Sequence, residues 1–266
     1  MFSDSHIHSW FSGDSETDPE AMILRAIDLN MKTITFTEHL DLEFPQVDLD
    51  FTLDIDDYIN EIARLAKKYS SEIEILTGIE SGLEPELKDK ISSYISGNPF
   101  DFIIGSSHVV NRMDPYSPEF FKKHTEREGF EAYFNSIIAN LKVDHDFDVY
   151  GHIDYIVRYA PNKNANYSYF DYSDVIDEIL KKLIEKGKGI EINTAGYKYG
   201  LNSPNPEINI IKKYRELGGE ILTIGSDAHA PKHVGFYFNE IKPILLECGF
   251  NHYNVFRKRN PDFIKL

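Results

Sequence analysis

The sequence predicts an α/β barrel, and three observations carry that expectation. Short β-branched or apolar runs alternate with longer stretches of helical periodicity along the whole chain, the form that repeated βα units take. The 266 residues suffice for one substantial core of this kind. No low-complexity segment, charge block or Gly/Ser linker marks a boundary, so residues 1–266 read as one domain.

The first extended run is Met1 to His8, followed by a helix from Asp18, with Pro19 suited to its first turn, to Asn30. Lys32 to Glu38 forms the second strand. Its helix runs from Asp54 to Tyr69, with Ile55, Tyr58, Ile59, Ile62, Leu65 and Ala66 sharing one face. Ile73 to Ile79 is the third strand, with a helix starting near Pro85, and Phe102 to Ser106 is the fourth, with a helix over Arg127 to Leu141. Asp148 to His152 is the fifth, separated by an Asn- and Tyr-rich loop from a helix at Tyr172 to Lys186. Gly189 to Asn193 is the sixth, its helix beginning after Pro206, and Glu220 to Ile224 is the seventh. A helix at Phe238 to Glu247 and an extended piece at Tyr253 to Phe256 complete the chain, leaving seven or eight strands. No reversal of strand order is legible, which favours a closed or nearly closed barrel over an open sheet.

Bulk composition narrows the function. A hydrophobic content of 41% and a charged content of 27%, with no apolar run of about 18 residues, describe a soluble protein without a membrane span. The first residues lack the layout of a secretory signal, so a cytoplasmic location is expected. The single cysteine, Cys248, excludes a thiolate cage, so any metal must be held by nitrogen and oxygen. A net charge of −16 disfavours extended nucleic acid, since Arg257-Lys258-Arg259 is the one short basic run. A small anionic substrate remains compatible, because bound divalent cations reverse the local field.

In a βα barrel the C-terminal strand ends converge on one mouth, where active sites form. The strand ends here read His6-Ile7-His8, Glu38-His39, Glu80, His108, His152 and Asp227-Ala228-His229, and each supplies a residue type that binds divalent metal. Alternation along an extended segment points His6 and His8 the same way, and Asp227 and His229 likewise if that strand continues. One such residue alone is more often a hydrogen-bonded structural group, but six ends in agreement point to a metal centre. Imidazoles with carboxylates suit Zn²⁺, Fe²⁺ or Mn²⁺. His124, His145, His233 and His252 fall in helices or loops and read as surface or packing residues.

These residues resemble the motifs of the polymerase-and-histidinol-phosphatase (PHP) family in order. Asp4-Ser5-His6-Ile7-His8 is similar to its first motif, with Asp14 six positions beyond His8; Thr37-Glu38-His39, Gly78-Ile79-Glu80, Ser106-Ser107-His108, Gly151-His152-Ile153-Asp154 and Gly225-Ser226-Asp227-Ala228-His229 resemble the later ones. The resemblance implies a distorted, TIM-like (β/α)7 barrel with three divalent ions at the C-terminal mouth, of Zn, Fe or Mn or a mixture. It implies His6, His8, Glu80 and Asp227 on one ion, Glu80 (bridging), His108 and His152 on a second, and Asp14, His39 and His229 on a third. Length, the Asn193-Thr194-Ala195-Gly196 segment and the absence of polymerase-like additions resemble the histidinol-phosphate phosphatase branch.

The reaction expected is hydrolysis of a phosphate monoester by a metal-bridging hydroxide, without a phospho-enzyme. Arg158 and Lys198 are candidates for phosphate contact, and Asp41 and Glu43 for the cationic part of L-histidinol phosphate. Tyr116, Tyr155 and Tyr197 are candidates to shape the pocket. The alternatives are a phosphoesterase acting on nucleotides and a metal-binding protein without catalysis. A metal-dependent amidohydrolase is a third, but it lacks here the Lys that often bridges metals in such barrels.

Overall fold

A computed structural model describes residues 3–45 and 50–266. Met1 and Phe2 of the expected first strand lie outside the described residues. The elements follow the alternation read from the sequence: β1 Asp4–Ile7, α1 Pro19–Asp28, β2 Thr33–Leu40, α2 Ile55–Lys68, β3 Glu74–Gly82, α3 Lys88–Ile95, β4 Phe102–Ser106, α4 Pro118–Lys123, α5 Glu126–Lys142 and β5 Val149–Tyr150. Then come α6 Ser173–Glu185, β6 Gly189–Asn193, α7 Ala195–Lys198, α8 Ile208–Glu216, β7 Leu222–Gly225, α9 Phe238–Glu247, β8 His252–Arg257 and β9 Asn260–Lys265.

Local chemistry sets several of these bounds. Asp18 and Asp54 cap α1 and α2 by accepting from the backbone N–H groups of Glu20 and Asp57, and Thr125 with Glu128 forms a capping box at α5. On α2, Tyr58, Ile62 and Leu65 are buried and Ile55, Ile59 and Ala66 half-buried, the stripe that the periodicity predicts.

Among the described residues seven parallel strands pair in the order β1-β2-β3-β4-β5-β6-β7. The ring is drawn together at the mouth: the Asp227 N–H donates to the His6 carbonyl at 2.8 Å, and the His8 N–H to the Ala228 carbonyl at 2.9 Å. Asp4 reinforces that seam, its carboxylate accepting from Ser226 N, Ser226 Oγ and Gly235 N.

The candidate eighth strand is not in the barrel. Tyr253 to Phe256 belongs to β8, which pairs antiparallel with β9 through a two-residue turn in which Lys258 and Arg259 both have positive φ. This hairpin closes the floor. Phe256 packs with Phe102, Ile104 and Val149, and Asn254 Oδ1 accepts from Leu222 N at 2.9 Å. Arg257 pairs with Glu74 and Asp262, and Arg259 with Asp146 and Asp148. The two arginines of the basic run are therefore neutralised at the strand starts. No helix of the described residues is long and apolar enough to cross a membrane.

Candidate metal centre

Register places the site. His39 of β2 and Glu80 of β3 are cross-strand partners, and Glu80 is in turn opposite Ile104 of β4, so these side chains share the face that looks into the barrel. Glu38 points the other way and accepts from Ser9 N, Ser9 Oγ and Ser12 Oγ at 3.0, 2.6 and 2.5 Å. It fixes the loop after β1, where its neighbour His39 enters the site. His108, His152 and Asp227 each lie two positions past the end of their strands. The premise that β7 continues through Asp227 and His229 is corrected: β7 ends at Gly225, and Asp227 is left-handed at φ 53°. Both side chains still reach the mouth, with His229 Nδ1 3.6 Å from Asp227 Oδ1. His152, at φ 20°, also sits in sparsely populated backbone space, and such strain concentrates at functional sites.

Glu80 is the hub. Its Oε2 lies 3.1 Å from His6 Nε2, 3.5 Å from His8 Nε2 and 3.3 Å from His39 Nδ1. Its Oε1 lies 3.1 Å from His108 Nε2 and 2.8 Å from His152 Nε2. Asp227 Oδ1 is 4.0 Å from His6 Nε2 and 3.7 Å from His8 Nε2. Asp14 Oδ2 stands 3.1 Å from His229 Nε2 and 3.7 Å from His39 Nε2. All nine residues expected from the sequence thus converge. Three overlapping groups, His6-His8-Glu80, His39-Glu80-His108 and His8-His39-His229, bring their donor atoms within 4.8 Å of one another.

The donor set fits a divalent cation on its own chemistry. Ligand atoms around a tetrahedral cation with bonds near 2 Å are roughly 3.3 Å apart, the spacing seen here. His6 Nε2 and His8 Nε2 face each other at 2.9 Å, two ring nitrogens that a shared cation would reconcile as well as a proton does. His39 Nδ1 and His229 Nε2 stand 3.3 and 3.1 Å from carboxylate oxygens of Glu80 and Asp14 yet make no well-aligned hydrogen bond with them, the arrangement of buried groups that share a cation rather than a proton. Burial opposes ionisation of Glu80, but the imidazoles of His6, His108 and His39 outweigh it and hold its carboxyl well below the usual range. Burial and the neighbouring imidazoles His229, His39 and His6 push His8 well below its ordinary value, toward the neutral ring that ligates metal.

The four candidate substrate contacts fare differently. Arg158 does not reach for an open mouth: it is buried, and its guanidinium donates to Asp227 Oδ2, Asn193 Oδ1 and Asn205 Oδ1, each at 2.8 Å. It secures the far oxygen of Asp227. Asp41 is buried and takes His108 Nδ1 at 2.7 Å, fixing that ring from behind. Glu43 is exposed and pairs with Lys90. Lys198 alone of the four stands free enough to meet a ligand, half-buried with Nζ 3.4 Å from the Asp227 carbonyl.

Of the candidate pocket tyrosines, Tyr155 lies 4.7 Å from the His152 ring and 5.5 Å from His108 between ring centroids. Tyr197 stacks on Tyr237 at 4.3 Å, and Tyr116 is exposed.

The sequence reading missed Glu191 of β6. Its Oε1 lies 2.5 Å from His6 Nδ1, and its Oε2 accepts from His152 N at 3.0 Å. The signal was available: in Gly189-Ile190-Glu191-Ile192-Asn193 the acid sits at an inward alternate of a parallel strand, where an apolar residue is the norm.

The PHP domain family matches residues 4–195. The chain belongs to the PHP domain family. It is 37% identical over 255 residues to a probable histidinol-phosphatase of Clostridium acetobutylicum, covering 94% of each chain. It is 30% identical over 257 residues to the histidinol-phosphatase of Lactococcus lactis, covering 95% of this chain and 93% of that one. The crystal structure of the Lactococcus lactis histidinol phosphate phosphatase complexed with zinc, L-histidinol and phosphate superposes with a TM-score of 0.92 at 29% identity, covering 98% of each chain. The barrel is thus of PHP type, with zinc bound in a full-length relative.

Proposed function

We propose that this chain is a histidinol-phosphatase, converting L-histidinol phosphate and water to L-histidinol and inorganic phosphate. The observation that carries the reading is the carboxylate of Glu80, set between two groups of imidazoles with one oxygen for each. The full-length likeness to histidinol-phosphatases supports the substrate.

His6, His8, Glu80 and Asp227 would hold one cation, Glu80, His108 and His152 a second, and Asp14, His39 and His229 a third. Such cations supply a water deprotonated near neutral pH and neutralise charge on the phosphoryl oxygens. The chain's own residues do the rest. Glu80 keeps two ligand sets in register, Asp41 and Arg158 hold His108 and Asp227 in their orientations, and Lys198 meets a phosphate oxygen at the rim. The half-buried Lys198 has its ammonium pushed down by burial, a low-solvation setting in which contact with an anion is strengthened.

The test is phosphate release from L-histidinol phosphate by protein of verified zinc, iron or manganese content, against a panel of nucleotides. Preference for the former is expected. Preference for any nucleotide moves the assignment to another phosphoesterase, and no turnover by metal-loaded protein moves it to a non-catalytic role.

A further inference from the structure

We infer that Glu191 is a positioning residue that couples two of the cation sites, an inference that rests on the proposed metal-dependent reaction. Its carboxylate touches the backs of two ligands assigned to different cations: Oε1 takes the His6 ring at Nδ1, and Oε2 takes the backbone N–H of His152. The first contact holds the proton on Nδ1 and turns the bare Nε2 toward Glu80 and His8. A carboxylate behind a ligating imidazole fixes its tautomer in this way and raises its basicity. The second contact holds the one histidine whose backbone stands at φ 20°, so that its Nε2 meets the other oxygen of Glu80.

The seat is built for this group. A Cβ on Gly225 would stand 2.5 Å from Glu191 Oε1 and 2.4 Å from His6 Cβ, closer than real atoms approach. A Cβ on Gly151 would stand 2.4 Å from Ser106 Oγ and 3.5 Å from Glu191 Oε2. Gly225, which begins the Gly225-Ser226-Asp227 motif, thus leaves room in which the carboxylate lies, while Gly151 makes room for Ser106 with Glu191 Oε2 in ordinary contact. Asn193 Nδ2 donates to Oε2 at 3.2 Å, completing its partners. Glu191 is fully buried, so it acts on chemistry only through His6 and His152.

Both contacts are donors to Glu191, and only a carboxylate offers an acceptor oxygen to each. The amide of Glu191→Gln keeps one. Its NH₂ must face either the His152 N–H, a donor against a donor, or His6 Nδ1, which then accepts and shifts the ring proton onto the metal-facing Nε2. The expected result, from zinc titration of metal-depleted protein in a competing chelator, is that E191A, which removes both acceptor oxygens, binds two cations per chain about 10- to 100-fold more weakly, whereas E191Q, which keeps one, weakens at least one of them. The third, at Asp14, His39 and His229, keeps its affinity.

In E191A, loss confined to one cation, equal loss of all, or no loss overturns the coupling. Wild-type protein that takes up no such set of cations sinks the functional reading itself, a distinct outcome. Imidazole ¹⁵N spectra of zinc-loaded wild type give a check independent of the variant's folding. A proton on His6 Nδ1 with Nε2 on the metal supports the role, and zinc on Nδ1 overturns it.

Discussion

The two ends of the barrel handle buried charge in opposite ways. At the floor, each arginine of the hairpin meets two carboxylates, and the space inside is filled by Phe102, Ile104, Val149 and Phe256. At the mouth, imidazoles crowd around Glu80 and Asp227, two ring nitrogens meet at 2.9 Å, and His39 Nδ1 and His229 Nε2 make no well-aligned hydrogen bond with the carboxylates beside them. The floor's arginines are paired within the protein, with Asn254 Nδ2 left unpartnered beside them. The mouth is complete only with cations, and the backbone there is bent out of common conformations at His152 and Asp227.

The sharpest way to break this contrast is to remove the hub. Glu80→Gln should lower kcat/KM by on the order of 10³-fold or more, beyond the 10- to 100-fold typical of a residue behind a ligand, with elemental analysis showing fewer ions per chain. Retained activity would mean the mouth does not depend on a shared carboxylate. Chelation should act alike: activity lost and regained with Zn²⁺ or Mn²⁺, and far-UV circular dichroism unchanged because the floor carries no such need. The thermal midpoint should fall on chelation, since ligands bound only to the folded state contribute about 4 kcal/mol at a thousand times their dissociation constant.

Next is Arg158. Replacing it by Met removes the cation that faces the buried Asp227 carboxylate and the donor to buried Asn205 Oδ1, and breaking such a pair costs about 3–5 kcal/mol. Cation content should fall together with stability in urea titrations. A higher KM for the phosphate ester with metal content intact would instead restore Arg158 to direct phosphate contact. At the floor, Phe256→Ala should cost about 3 kcal/mol through loss of its contact with Phe102, while kcat/KM at 25 °C stays near wild type. A floor variant that impaired turnover would show the two ends to be linked.

Much of this was legible in the chain. The bounds of β4, β6 and α9 are those read from periodicity, and all nine metal-binding candidates meet at the mouth. What escaped did so for physical reasons. β5 shrinks to Val149–Tyr150 because the backbone turns at His152, and that turn is imposed by tertiary contacts. The closing hairpin has Lys258 and Arg259 at positive φ where Asn-Gly is the usual sign, so its turn left no trace. Arg158 read as a free cation because its three partners come from Asn193, Asn205 and Asp227, far apart in sequence. Pattern locates elements and their inward faces; it does not reveal which inward polar groups satisfy one another.

The smallest effect probes the floor's charges. Arg257 bridges Glu74 and Asp262 near the surface, with Glu74 41% exposed. Its hydrogen bonds hold the Glu74 carboxyl below the usual range, so the pair stabilises the fold above the ordinary glutamate value and loses that contribution as pH falls through the lowered one. Arg257→Ala should therefore cost at most about 1 kcal/mol near neutral pH, given solvent screening at such sites. Stability curves of wild type and variant should converge on acidification and with added salt. Metal content should be the same in both. A difference that persists at low pH would place the role of Arg257 in packing its aliphatic stem, and a change in bound metal would end the separation between floor and mouth.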